Sequence, residues 1–135
     1  MASGIDPPIK LRWSSEVSSV AGNGDMSQAS ITSSPIGLAT IRDCGLQLKW
    51  SGGTGTLTIE VSNNAVQRHP TDAFASVNTG DWVTLTLDRA ITQPAGSASG
   101  DVIDLSEIPF RWARVKYTRS AGSGTLEGWA SGKAA

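Results

Sequence analysis

The sequence predicts an all-β chain, an antiparallel two-sheet β-sandwich of jelly-roll-like kind with an extended N-terminal arm. Three observations lead there. Apolar and polar residues alternate in several runs of strand length, as in Leu46-Gln47-Leu48-Lys49-Trp50 and Leu57-Thr58-Ile59-Glu60-Val61. Helical periodicity never holds for three turns. A short phrase also occurs twice: Ser51-Gly52-Gly53-Thr54-Gly55-Thr56-Leu57 returns as Ser120-Ala121-Gly122-Ser123-Gly124-Thr125-Leu126. Each copy lies between two runs that can extend, which reads as two β-hairpins with small-residue turns.

Residues 1–8 read as an arm, Pro-paired and too poor in apolar residues to pack on themselves. Lys10–Trp13 follows as a first strand, with Leu11 and Trp13 on one face. Residues 14–37 are rich in Ser and Gly. Gly22-Asn23-Gly24-Asp25 marks a turn there, and Val17–Val20 and Ala29–Ile31 are candidate edge strands. Thr40–Trp50 and Leu57–Val61 are regular strands. Asn63-Asn64 ends the second, and Pro70 makes 65–75 a connection that could hold a short helix. Trp82–Leu87 alternates again, with Val83, Leu85 and Leu87 on one face. Residues 92–100 read as a flexible loop, and Val102–Ile108 as a short extended or turn segment. Phe110–Arg119 and Leu126–Ser131 complete some seven or eight strands, which suit a sandwich. The expected organisation is an arm over 1–8 and one domain over 9–135.

Composition narrows the function classes. A chain of 135 residues with a net charge of −1 carries no basic footprint for nucleic acid and no polybasic membrane address. No N-terminal apolar segment resembles a signal peptide and no run reaches membrane-spanning length, so synthesis in a cytoplasm is expected. The single cysteine, Cys44, excludes an internal disulfide. Its apolar neighbours favour a small buried hydrophobe over a reactive thiol.

Chemical signatures are sparse. Gly96-Ser97-Ala98-Ser99-Gly100 places Ala where a nucleophile elbow needs Ser. Gly128–Lys133 is one residue short of a phosphate loop and has no hydroxyl after Lys133. His69, the only imidazole, lies between Arg68 and Pro70 in a polar connection, as a solvated histidine does. Asp101, Asp104 and Glu107 form the one carboxylate cluster. They lack the ligand alternation of a calcium loop, and Asp104 with Ser106 suits a side-chain-held turn better. No catalytic residue, metal or cofactor is expected.

The aromatic residues are more informative. Five tryptophans accompany two Phe and one Tyr. If Ala113, Val115 and Tyr117 face the core, then Trp112, Arg114 and Lys116 face out, and Trp129 lies opposite Leu126, Gly128 and Ala130. Trp with Arg on an outer face suits a protein interface. It equally suits a sugar-stacking platform, or a strand buried on both faces. Trp13, Trp50 and Trp82 read as core. The candidate interface residues are Ile5, Pro7 and Pro8 of the arm with Arg111, Trp112, Arg114 and Trp129.

Two segments also carry a resemblance. Residues 47–63, from Gln47-Leu48-Lys49-Trp50-Ser51-Gly52 to Ile59-Glu60-Val61-Ser62-Asn63, and residues 104–126, with Arg111-Trp112-Ala113-Arg114-Val115-Lys116-Tyr117, resemble paired motifs of small structural proteins of tailed bacteriophages. The likeness spans 46–64 and 101–133. It departs after Asn63, where Val66-Gln67-Arg68-His69 stands in place of the usual Trp. It implies a non-enzymatic virion protein, above all a capsid decoration (cement) protein. Such a protein binds the outside of the major capsid protein lattice and self-associates as a dimer or trimer, with no nucleic acid or membrane partner. The alternative it leaves is a carbohydrate- or receptor-binding module of a tail or head fibre, with a shallow site at loops 65–76 and 92–100.

Overall fold

In a computed structural model, residues 8–18, 20–38, 41–65 and 80–134 are described, with the side chains of 41, 42, 133 and 134 left aside. Ten strands form two antiparallel sheets and the described residues contain no helix. They are β1 (Ile9–Lys10), β2 (Gly24–Asp25), β3 (Ser30–Thr32), β4 (Ile36–Gly37), β5 (Ile41–Trp50), β6 (Thr54–Ser62), β7 (Val83–Thr84), β8 (Ser99–Asp104), β9 (Trp112–Ala121) and β10 (Thr125–Ala134). Sheet 1 runs β1-β10-β5-β8, with β2 also on β10. Sheet 2 runs β3-β9-β6-β7, with β4 also on β9. With β2 and β4 set aside, eight strands remain in the order of a jelly roll, four to a sheet.

The two copies of the repeated phrase are not hairpins. β5 pairs with β10 and β8, whereas β6 pairs with β9 and β7. Each copy therefore carries the chain from one sheet across to the other, as a β-arch. The first leg of one arch pairs with the second leg of the other. Strand, small-residue turn, strand is common to a hairpin and an arch, so local sequence does not separate them.

Contact between the two arches explains their small residues. A Cβ on Gly52 would lie 2.8 Å from the Ser123 carbonyl oxygen, and one on Gly124 would lie 2.9 Å from Gly52 N. Thr125 N–H donates to Ser51 Oγ (2.8 Å) and Ser51 N–H donates to Thr125 O (3.0 Å), which ties the arches together. Gly53 and Gly122 supply the positive φ of 76° and 70° that each reversal needs. Met26, fully buried, sits beneath with its N–H on Gly124 O (3.0 Å).

The core fills the space between the sheets. Leu46, Leu48, Trp50 and Leu126 face inward from sheet 1; Leu57, Ile59, Val115 and Tyr117 face inward from sheet 2. Tyr117 is fully buried, and its hydroxyl is satisfied by donating to Thr54 O (3.0 Å). Ser33, buried between β3 and β4, replaces a missing ladder partner: Val115 N–H donates to its Oγ (2.9 Å).

Other expectations shift in detail. Leu11 and Trp13 share the core face as expected, but β1 covers only Ile9–Lys10. Val17 belongs to a hydrogen-bonded turn reaching Asn23, not to an edge strand, and Gly24–Asp25 of the expected turn is a strand. Trp82–Leu87 pairs only over Val83–Thr84. Val83 is turned to solvent at 66% exposure while Leu85 and Leu87 lean on the core. Residues 92–98, expected to be a loose loop, form a strap across β6. Gly55 N–H donates to Pro94 O, Gly96 N–H donates to Gly53 O, and the Gln93 side chain takes Leu57 N–H. Val102 lies in β8, beside β5. The possible helix within 65–76 and His69 lie outside the described residues, apart from Ala65.

Candidate functional site

The expected interface set does not form one surface. Because β9 and β10 belong to different sheets, Trp112 and Arg114 lie on the outer face of sheet 2 and Trp129 on the outer face of sheet 1. The alternation expected along each strand is present, but the assumed shared hairpin is not, so the two groups point to opposite sides of the sandwich. Ile5 and Pro7 lie outside the described residues. Pro8 is exposed and lines the same groove as Trp129.

On sheet 2 the outer face is filled from within. Arg114 Nε donates to Glu60 Oε1 (2.8 Å), with side chains only 14% and 11% exposed. The Arg114 guanidinium carbon stands 4.3 Å from the centre of the Trp82 ring, a cation–π contact. Trp82, expected in the core, is therefore half-buried on the outside, as the lid of an ion pair. Arg114 is committed to its own fold and is not an available contact. Trp112 packs over Gly37, where a Cβ would come within 3.2 Å of the indole. Arg111 is exposed, with its backbone N–H held by Asn63 Oδ1 (2.9 Å).

Beside this cluster, at the β7 edge, Val83, Phe110 and Leu85 line a depression of about 460 Å³ with Ser62 and Asn63. Phe110 is half-buried, and Arg111 follows it directly. The edge thus combines exposed apolar surface with one carboxylate, Asp81, which takes an N–H of the Asn64 amide (2.8 Å).

On sheet 1 the register sets residues in rows across the outer face. One row runs Lys10, Trp129, Gln47, Val102, and the next runs Ser131, Gly45, Asp104. Gly45 has no side chain, and a Cβ there would meet nothing nearer than Ser131 Oγ at 3.9 Å. The result is an open groove of about 660 Å³ in which Trp129 forms one wall. Lys10 steadies that wall. Its Nζ is 5.7 Å from the indole centroid, 3.0 Å from Glu127 Oε2 and 2.9 Å from Asn23 Oδ1. Trp13, Trp50, Trp82 and Trp112 each bury Nε1 without a hydrogen-bond partner, and Trp129 is not among them.

Comparison with protein-family models, with curated proteins and with solved structures finds no match.

The carboxylates near the groove have structural partners. Arg89 forms a bidentate pair with Asp101 (3.0 and 3.1 Å). Arg89 also donates to Val102 O, and Asp101 Oδ1 accepts Val102 N–H (2.8 Å). Both outward backbone groups of Val102 are thus occupied, so the open edge of β8 is blunted against pairing with another strand. The Arg89 guanidinium, helped by the Thr92 and Val102 N–H groups, holds the Asp101 carboxyl far below the usual carboxylate range. Asp104 accepts Ser106 N–H (2.8 Å) in the turn expected from sequence, and Ser106 lowers its pKa. Burial, reinforced by the nearby Asp104 charge, raises the pKa of the Cys44 thiol within the core. Among the described residues, no group of three His, Cys, Asp or Glu side chains is placed to hold a metal ion.

Proposed function

We propose that the protein is a tailed-phage virion structural protein, a capsid decoration protein that binds the outside of the major capsid lattice and stabilises it. The observation that carries this reading is the contrast between two of the four sheet edges, β8 and β7. The β8 edge is plugged by Arg89 and Asp101, whereas the β7 edge offers Val83 and Phe110. An edge that leaves apolar side chains exposed suits a protein partner. The phage resemblance in both arch segments supports the choice of partner. The jelly-roll order supports it only by analogy, since that architecture serves capsid and lectin domains alike.

The physical action is adhesion. Each copy docked where capsid subunits meet adds buried interface, and ligand binding to the assembled state raises the free energy needed to take it apart. Self-association as a dimer or trimer would match the symmetry axes of such a lattice. The working location is then the capsid exterior, reached after synthesis in the host cytoplasm.

Co-sedimentation with empty capsids of the cognate major capsid protein tests this. Saturable binding and a higher temperature of capsid disruption are expected; absence of both overturns the proposal.

A further inference from the structure

We propose that the groove beside Trp129, on the face of sheet 1, binds a neutral saccharide. The carbohydrate alternative drawn from sequence places its site at loops 65–76 and 92–100. The second of these is a strap whose Gln93 amide is spent on Leu57 and Ile91. The chemistry that suits a sugar lies instead on the sheet.

Four features converge there. Trp129 is a half-buried aromatic wall beside Lys10, and its Nε1 is not one of the buried, unpartnered indole nitrogens. Such a ring covers the apolar C–H face of a pyranose while its N–H meets a hydroxyl. Gln47, next to Trp129 in the same row, is exposed and its amide has no hydrogen-bond partner among the described residues. That amide offers both donor and acceptor, as alternating sugar hydroxyls require. Asp104, ionised at neutral pH and fixed by Ser106, supplies a strong acceptor across the hollow. Gly45 keeps the space between them empty.

Electrostatics favours a neutral ligand over an anionic one. Arg89, the cation on the rim, is committed to Asp101 and to the Ala90 and Val102 carbonyls. Lys10, behind the indole, is paired with Glu127. With Asp104 facing the hollow, a carboxylate or sulfate sugar would meet net repulsion. The groove is shallow and open, so dissociation constants of about 1 mM are expected for one ring.

The test uses the full chain in solution and is independent of capsid binding. The Trp129 indole resonance is followed in NMR titrations with maltose, lactose, N,N′-diacetylchitobiose and sialyllactose, each to about 20 mM, well above a millimolar constant. At least one of the three neutral sugars is expected to shift that resonance saturably. Gly45→Phe, which fills the hollow, is expected to weaken that binding at least about tenfold, as is Trp129→Ala. Gly45 has ordinary φ and open space above it, so Gly45→Phe retains the fold, and its unchanged melting temperature is the control. No saturable shift with any neutral sugar overturns the proposal, as does a response to sialyllactose alone. Undiminished binding by a folded Gly45→Phe protein overturns it too.

Discussion

The two outer faces of the sandwich solve the same problem in opposite ways. Sheet 2 fills its face with its own side chains, an ion pair under a tryptophan lid, so its central residues serve stability. Sheet 1 leaves out one side chain at Gly45 and stands an aromatic beside the gap. An identical composition, Trp with charged neighbours on a strand's outer side, thus means closure on one face and availability on the other. What separates them is the residue each one meets across the ladder. Arg114 has Glu60 directly across the ladder, whereas Trp129 has Gln47.

The largest expected effect lies on the closed face. Arg114→Ala leaves the Glu60 carboxylate almost buried without its ion-pair partner, which costs about 3 kcal/mol. Urea denaturation should show the midpoint falling sharply. The double variant Glu60→Leu/Arg114→Met, which removes both charges and keeps the volume, should recover most of that loss. If Arg114→Ala unfolds at the wild-type midpoint, the face is not closed in the sense described.

A smaller effect belongs to the plugged edge of sheet 1. Asp101 has a carboxyl pKa depressed in the folded state, first by Arg89. Its stabilisation is therefore complete above the unfolded carboxylate range and is lost as pH falls below about 4, the unfolded pKa of aspartate. Asp101→Asn should flatten that acid limb of the stability curve. It also withdraws the acceptor that best holds Arg89 on Val102 O, so light scattering should reveal more edge-to-edge association in the variant.

The smallest effects are expected at the open groove. Gly45→Ala should be neutral or stabilising by about 0.5 kcal/mol, because a strand glycine gives up more chain entropy than alanine and the site has room. Trp129→Ala should cost about 1 kcal/mol in thermal unfolding, less than a core tryptophan, since Trp129 is only half-buried and lines the open groove. A large loss in either would mean that the groove is a packed structural element.

Much of this was legible in the residues. Period-two alternation placed Leu46, Leu48 and Trp50 inward, as it did Ala113, Val115 and Tyr117, and Gly turns separated the strands. Alternation is a local signal, fixed by the pleat. Which strands pair is not local: Trp50 meets Leu126 and Leu57 meets Tyr117, across 60 residues or more of chain. The Gly-rich phrases could not disclose that they cross between sheets, because their partner is the other phrase. The candidate site suffered from the same gap. Trp112, Arg114 and Trp129 were each correctly turned outward, but the sheet assignment put them on opposite sides. The role of Gly45 was missed because a missing side chain gives no signal until its neighbours are known. The Val83–Phe110 edge was not visible, since Val83 alternates like a core residue yet sits at an edge two residues long.

On the function proposed above, the β7 edge of sheet 2 meets the capsid lattice and the Trp129 groove on sheet 1 does not. Co-sedimentation of two folded variants with cognate capsids tests it most directly. Val83→Asp, with a charge in the proposed contact, is expected to lose binding, while Gly45→Phe binds like the wild type. Retained binding by Val83→Asp together with loss in Gly45→Phe would contradict the assignment.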